Sequence, residues 1–115
     1  MMRKILMGAV TLAVLTTMTP IHAGGEVDLA ISAIEAYDYP RALPPLRVAA
    51  MQGDRRAQRL LGFMLLHGGQ LYRGVDADPA EALSWLRKAS EQGDEQAALV
   101  VSRLERDRVA RIALP

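Results

Sequence analysis

The sequence predicts an all-α protein, and three observations favour this class. Half of the 115 residues are apolar but only 4% are aromatic, a bias that favours packed helices over a sheet. Apolar residues recur at helical spacing in several segments. One stretch of the chain also repeats after 40 residues, a period within the range of helical repeat arrays.

The composition excludes several classes of function. The chain contains no cysteine, so a disulfide framework, a thiolate metal site and a cysteine nucleophile are excluded. With 14 basic and 13 acidic residues, its formal net charge is +1, which gives no electrostatic reason to expect a nucleic-acid partner. The length suits one small domain.

The first 23 residues have the pattern of a secretory signal peptide. Arg3 and Lys4 precede an uncharged apolar stretch at 5–18, and Ala23 stands at a boundary of small residues. The apolar stretch is shorter than the roughly 20 residues of a membrane span. We therefore predict cleavage near Ala23, a periplasmic or secreted protein, and a folded domain over 24–114. The alternative is an uncleaved membrane anchor, so we expect membrane contact only through this segment.

Segments 42–57 and 82–97 are two copies of one pattern, with nine of 16 positions identical. In each copy an apolar helical stripe is followed by glycine and aspartate, as Gly53-Asp54 and Gly93-Asp94. Such a glycine ends a helix in the left-handed conformation, and the aspartate caps the next helix. The pattern predicts a loop over 68–78 and helices near 26–37, 41–52, 55–67, 79–92 and 95–110.

Two of these helices contain unfavourable residues. Pro44 and Pro45 lie inside the second helix, where proline removes backbone donors. The helix therefore either begins at Pro44 or is kinked there, and we predict the late start, with 38–43 irregular. In the C-terminal helix a charged run interrupts the apolar stripe, which predicts fraying past Leu104.

The segment from Ala57 to Ala97 resembles a Sel1-like repeat, a TPR-like pair of helices. The segment 37–53 is similar to the second half of a preceding, degenerate copy. The resemblance implies a helix-turn-helix solenoid, built as a short right-handed α-α superhelix. It further implies that the protein binds another protein as an adaptor or regulator, without enzymatic activity or cofactor. It also implies a structural role for the residues that carry it, which are Ala57, Leu61, Gly62, Gly74, Asp78, Ala82, Trp85, Lys88, Ala89, Gln92, Gly93 and Ala97.

The chain departs from the family pattern at three places. Leu65 stands where the family usually has tyrosine, and the glycine turn is lengthened around 70–73. Val101-Ser102 replaces the usual leucine-glycine pair, so we expect the array to end there.

Two groups of residues are candidates for contact with an unidentified protein partner. On the third helix, Arg55 and Arg59 share a face at a spacing of four. The alternative is a solvated face with ion pairs to Asp54, Glu91 or Glu95, and core positions for Phe63 and Trp85. The inserted loop either anchors a partner or folds onto the core. The full set of candidate contact residues is Arg55, Arg56, Arg59, Phe63, Leu71, Tyr72 and Arg73.

The sequence offers little for catalysis or metal binding. His67 precedes two glycines, but no serine stands in a G-x-S-x-G elbow. We therefore interpret His67 as a residue at a helix C-terminus, and an envelope enzyme subunit that relies on His67 is the alternative. Asp76 and Asp78 are too few carboxylates for a calcium site. We predict no catalytic residue, metal or cofactor.

The C-terminal helix carries apolar residues at the end of a short array. Repeats bury their apolar faces against neighbours, and about three are normally needed for stability. We expect that some of Leu99, Val100, Val101 and Leu104 are covered by a partner. Self-association through this helix, as a homodimer, stays open.

Overall fold

The computed structural model describes residues 23–113, and helices account for most of them. The α-helices are α1 (Ala23–Glu35), α2 (Tyr39–Met51), α3 (Arg55–His67), α4 (Pro79–Glu91) and α5 (Glu95–Ala113). A 3-10 turn at Gly68–Gln70 lies in the segment predicted as a loop. No strand occurs within 23–113, so the all-α class is confirmed. The predicted signal peptide, except for Ala23, lies outside the described residues.

The helices pack in chain order, each against the next. A larger cluster of buried side chains extends from α1 to α4 and includes Leu46 and Leu61. A smaller cluster joins α4 to α5 through Leu86 and Ala97. More than half of the buried apolar residues are alanine, so the helix backbones can approach closely.

Three helix junctions share one backbone geometry. Each helix ends before a residue in the left-handed region, with φ values of 58° at Tyr37, 92° at Gly53 and 90° at Gly93. The next residue is an aspartate whose N–H donates to a carbonyl five residues earlier, which is the bond of a Schellman motif. These bonds run from Asp38, Asp54 and Asp94 to Ala33, Ala49 and Ala89, at 2.9, 3.0 and 3.0 Å.

Three aspartates cap the helices that follow them, as the sequence predicts. The side chains of Asp54 and Asp94 accept hydrogen bonds from the N–H groups three residues later, at 2.8 and 2.9 Å. Asp78 does the same at the start of α4, with a 3.1 Å bond from Glu81. Each cap satisfies one of the N–H donors that a helix leaves unpaired in its first turn.

The prediction of a late start for α2 is wrong. The helix begins at Tyr39, and Pro40 occupies its first turn, where the missing N–H costs nothing. Pro44 and Pro45 lie inside the helix, so the carbonyls of Pro40 and Arg41 lose their helical donors. Both of those residues are exposed and water can reach them. The helix persists because its apolar face is buried at Ala42, Leu46, Ala49 and Ala50.

The prediction that α5 frays past Leu104 is also wrong. The helix continues to Ala113, although every residue from Glu105 to Ala113 is exposed. Glutamate, arginine and alanine dominate this part of the sequence, and all three have high intrinsic helix propensity. The charged run that breaks the apolar stripe therefore ends the burial of α5 but not the helix.

Candidate functional site

The exposed members of the predicted contact set lie at two ends of α3, whereas Arg59 and Phe63 lie along the helix and are partly buried. Arg55 and Arg56 are exposed at the start of the helix, next to the junction that contains Gly93. Leu71 and Arg73 are exposed in the loop that follows its last turn. Because α3 has 13 residues and each adds about 1.5 Å, nearly 20 Å separate the two groups. The structure does not bring them into one patch.

Arg59 is engaged in an ion pair between α3 and α5. Its Nη1 atom lies 3.0 Å from Oδ2 of Asp94, a buried carboxylate. Asp94 also caps α5 through its other oxygen, so this one residue ties the junction to both helices. The ion pairs considered from the sequence involve Asp54, Glu91 or Glu95, whereas the observed partner is Asp94.

Gln92 connects the two glycine junctions of the repeat. Its side-chain amide donates to the Gly53 carbonyl at 3.0 Å and to Oε1 of Gln58 at 2.8 Å. Gln58 is buried and donates in turn to the Ala50 carbonyl at 3.1 Å. Gln58 is missing from the predicted set, although its place on the apolar face of α3 is a signal for a buried polar contact. The Gln-Gly-Asp sequence thus holds consecutive repeats together.

Phe63 packs into the smaller core cluster, beside Leu86 and Ala97. It is half-buried, so most of its ring contributes to the packing of α3 against α4 and α5. Phe63 therefore occupies a core position, which is the alternative to a role in partner contact. Only part of the ring is accessible to another molecule.

The loop after α3 is fixed by several internal contacts. The N–H groups of Leu71 and Tyr72 both donate to the Gly68 carbonyl, at 3.2 and 2.8 Å. Val75 is buried in the core, and Gly74 lies so close to Pro40 that a Cβ atom would come within 2.8 Å of its ring. The loop is therefore held against α2 as well as α3.

Leu71 and Tyr72 point in different directions within this loop. The Tyr72 ring packs edge-on against Tyr39, with 5.3 Å between the ring centroids. Burial raises the pKa of Tyr72, and the neighbouring Tyr39 hydroxyl raises it further. Leu71 is 61% exposed. Tyr72 thus folds onto the core, whereas Leu71 stays in solvent, and the anchoring of a partner by this loop stays a prediction.

Some of the residues predicted to carry the scaffold lie within the packing of the helices, whereas Gly74, Asp78, Lys88, Gln92 and Gly93 are exposed. Gly62 contacts α4 directly, since a Cβ atom there would come within 2.6 Å of Leu86 Cγ. Lys88 lies 4.6 Å from the ring centre of Trp85, which is half-buried against the core. The remaining scaffold residues that are fully buried are Ala57, Leu61, Ala82, Ala89 and Ala97.

An ion pair that the sequence did not indicate joins α2 to α4. Glu81 accepts hydrogen bonds from Arg47 and, at 3.2 Å, from Nε1 of Trp85. The hydrogen bond from Arg47 is the main cause that lowers the pKa of Glu81, and the bond from Trp85 adds to it. Arg47 is identical to Arg87 in the second copy of the repeat. This identity is the feature of the sequence that could have indicated the contact.

His67 lies at the C-terminal end of α3. It is the last residue of α3, and Gly68 follows with φ of 50° and donates its N–H to the Met64 carbonyl. Within 23–113, no group of three or more histidine, aspartate or glutamate side chains is placed to hold a metal ion. The surroundings of His67 are those of a helix end.

Two exposed apolar surfaces lie apart from the predicted contact residues. One is a groove of about 380 Å³ between α1 and α2, with Leu29, Pro44 and Val48 in its lining. The other runs along α5, where Leu99 and Ile112 are exposed. No helix within 23–113 is long and apolar enough to cross a membrane.

The helix pair and its loop match one known family. Residues 55–94 match the family model described as Sel1 repeat. The matched segment contains α3, the loop with Leu71, α4 and the junction up to Asp94, and it confirms the family that the sequence resembles. Sel1 repeats in general mediate protein–protein interactions and are typically not enzymes. No curated protein and no solved structure matches the chain.

Proposed function

Given that residues 55–94 of this chain are a Sel1 repeat, we propose that the protein is an exported adaptor or regulator that binds another protein and carries out no chemistry itself. The observation that carries this proposal is the loop after α3, which presents an exposed leucine from a fixed backbone. A fixed loop loses little conformational entropy on binding, and a leucine leaving water contributes favourable free energy.

The centre of the proposed contact is Leu71, with Arg73 beside it. Both side chains are exposed, and the loop that carries them is anchored on Gly68, Val75 and Pro40. Arginine is enriched in protein interfaces, and apolar residues form their centres. Tyr72, next to Leu71, packs against Tyr39 of α2 and so helps to hold the loop in place.

The arginines of α3 differ in how accessible they are to a partner. Arg55 and Arg56 are accessible and form a second, basic contact region at the other end of the helix. Arg59 and Phe63 belong chiefly to the packing between α3 and α5. A charge reversal at Arg59 would therefore disturb the fold as well as any contact.

The proposed location is the periplasm or the exterior of the cell. It rests on the sequence, in which Arg3 and Lys4 precede an apolar stretch and Ala23 marks a cleavage boundary. The competing proposal is a membrane-tethered component that keeps the segment. The intact mass of the exported protein distinguishes the two, because the cleaved form lacks the first 23 residues.

The proposal is tested by affinity capture from envelope extracts with the wild-type protein and two matched variants. Leu71→Asp places a charge on the loop, whereas Leu29→Asp makes the same change at a leucine of α1 that is equally exposed, at 61%. We expect a partner that Leu71→Asp loses and Leu29→Asp retains. Loss with Leu29→Asp alone would move the contact to the α1–α2 groove, and an identical set for all three forms would refute the loop.

A further inference from the structure

One side of α5 carries a continuous stripe of exposed residues. These residues, here called the α5 stripe, follow one another at spacings of three, three, one, three and three, which places them on one side of a helix. All of them are exposed, with Leu99 at 72%, Val109 at 64% and Ile112 at 75%. The members of the α5 stripe are Leu99, Ser102, Glu105, Arg106, Val109 and Ile112.

The repeat explains why the first part of the stripe, up to Arg106, has the form of a helix-packing surface. The offset of 40 residues places α5 in the position of α3, and Ser102 in the position of Gly62. On α3 that side is covered by α4, with Leu86 against Gly62. No element within 23–113 covers the corresponding side of α5. The stripe thus has a small residue, Ser102, near its first end, charged residues at its middle and exposed apolar residues at both ends.

We propose that a second copy of this chain covers the α5 stripe, with the two α5 helices antiparallel about a two-fold axis between positions 105 and 106. This deepens the proposed function, and rests on it, by naming one partner of the module. In this register Leu99 faces Ile112 of the second copy, and Ser102 faces its Val109. Each contact occurs twice, as in any two-fold interface.

The charges of the stripe select this arrangement. About the proposed axis, Glu105 of one copy faces Arg106 of the other, so two opposite-charge pairs form. A parallel arrangement would place Glu105 beside Glu105 and Arg106 beside Arg106, and like charges across an interface are unfavourable. The stripe is therefore complementary to itself in the antiparallel direction.

The existing contacts of Glu105 are compatible with this pairing. Its Oε1 atom accepts hydrogen bonds from Nε and Nη2 of Arg87, at 3.2 and 2.8 Å. Within residues 23–113 its Oε2 atom accepts none, so it can receive a bond from Arg106 of the second copy. Arg87 holds the carboxylate in place before the copies meet, which reduces the entropy lost on association.

The size of the contact sets its strength. Weak and transient interfaces bury less than about 1,200 Å² in total, and one pair of helices belongs to this class. We therefore expect a dimer that dissociates on dilution.

The test is sedimentation equilibrium of the purified protein over a range of concentrations, with its N-terminus established from the intact mass. Arg106→Glu and Glu105→Arg each create like-charge contacts at the axis, so each alone should weaken dimerisation about tenfold or more. An equimolar mixture of the two variants restores opposite charges at both contacts, so it should form a heterodimer. Circular dichroism verifies that each variant remains helical.

The control is Arg111→Glu, the same charge change half a turn around α5 from Ser102, which should dimerise like the wild type. A wild-type protein that stays monomeric at millimolar concentration would overturn the proposal. So would single variants as dimeric as the wild type, or a mixture that forms no heterodimer. None of these outcomes affects capture through Leu71, which tests the proposed function separately.

Discussion

Gly62 of α3 and Leu86 of α4 lie so close together that a methyl group on Gly62 would come within 2.6 Å of Leu86 Cγ. Leu86 is fully buried and cannot move aside without disturbing its neighbours. This contact between Gly62 and Leu86 sets how closely α3 and α4 pack. The position of the loop between them depends on that packing.

Gly62→Ala should destabilise the protein by about 1–3 kcal/mol, because the added methyl group overpacks the helix interface. The matched control is Gly69→Ala, where the nearest atom to the new Cβ is 3.7 Å away. The control should change the free energy of unfolding by no more than about 0.5 kcal/mol. Urea denaturation measures both values. Equal stability of the two variants would contradict the close packing.

Gly93→Val should destabilise the fold by about 1–3 kcal/mol, since a β-branched residue resists the left-handed conformation. The φ of Gly93 is 90°, although a Cβ atom there would have space, with its nearest neighbour 4.0 Å away. The cost is therefore one of backbone conformation and not of collision. Thermal unfolding followed by circular dichroism measures it, and an unchanged melting temperature would refute the junction geometry.

Tyr37→Asn should stabilise the protein by about 0.5–1 kcal/mol, because asparagine tolerates the left-handed region better than tyrosine. Tyr37 has a φ of 58°, whereas the other two helix junctions have glycine at this position, as Gly53 and Gly93. Tyr37→Ala is the control, since it removes the same ring but keeps the backbone strain. Urea denaturation should give a larger free energy of unfolding for Tyr37→Asn than for Tyr37→Ala. The reverse order would count against backbone strain at position 37.

Arg59→Ala should destabilise the protein by about 1–3 kcal/mol, because it leaves the buried carboxylate of Asp94 without its ion-pair partner. The neighbouring Arg56 is exposed, so Arg56→Ala should change stability by less than about 0.5 kcal/mol. Denaturation of both variants at neutral pH provides the comparison. If the two arginines prove equivalent, the ion pair contributes nothing to the junction.

Acidification should remove the stabilisation that Glu81 provides. The hydrogen bond from Arg47 lowers the pKa of Glu81 below its usual 4.5 in the folded protein. The unfolded chain therefore takes up the proton first, so the stabilisation is complete above the usual pKa and is lost as the pH falls toward the folded pKa. Urea denaturation from pH 7 downward measures the free energy of unfolding of wild type and Glu81→Gln, and the difference between them should shrink.

Glu91→Gln is the control for this experiment, since Glu91 lies exposed at the end of the same helix. We expect it to match the wild type at pH 7 within about 0.5 kcal/mol. A gap between wild type and Glu81→Gln that stays constant on acidification would show that the Arg47 contact does not depend on the charge of Glu81.

The features that the sequence predicts well are those with a local cause. The left-handed glycines and the aspartate caps depend on residues a few positions apart, so Gly53 and Asp54 could be placed from their spacing alone. The internal repeat adds a second copy of the same signals. The family resemblance, which the match over 55–94 confirms, adds the pairing of α3 with α4 that the structure shows.

The features that it missed depend on contacts far apart in the chain. The start of α2 at Tyr39 requires burial of that helix against its neighbours, which outweighs the local effect of Pro44 and Pro45. Arg59 meets Asp94, 35 positions away, and Arg47 meets Glu81, 34 positions away. Which of several carboxylates an arginine reaches depends on how the helices cross, and residue spacing does not specify this.

Photocrosslinking in living cells tests the central claim most directly, namely that this helical repeat binds another protein through the loop after α3. A photoreactive amino acid is placed at position 71, or as a control at position 84, which is exposed on α4. We predict a discrete crosslinked protein at position 71 and none at position 84. Absence of any adduct at position 71, or the same adducts at both positions, would contradict the claim.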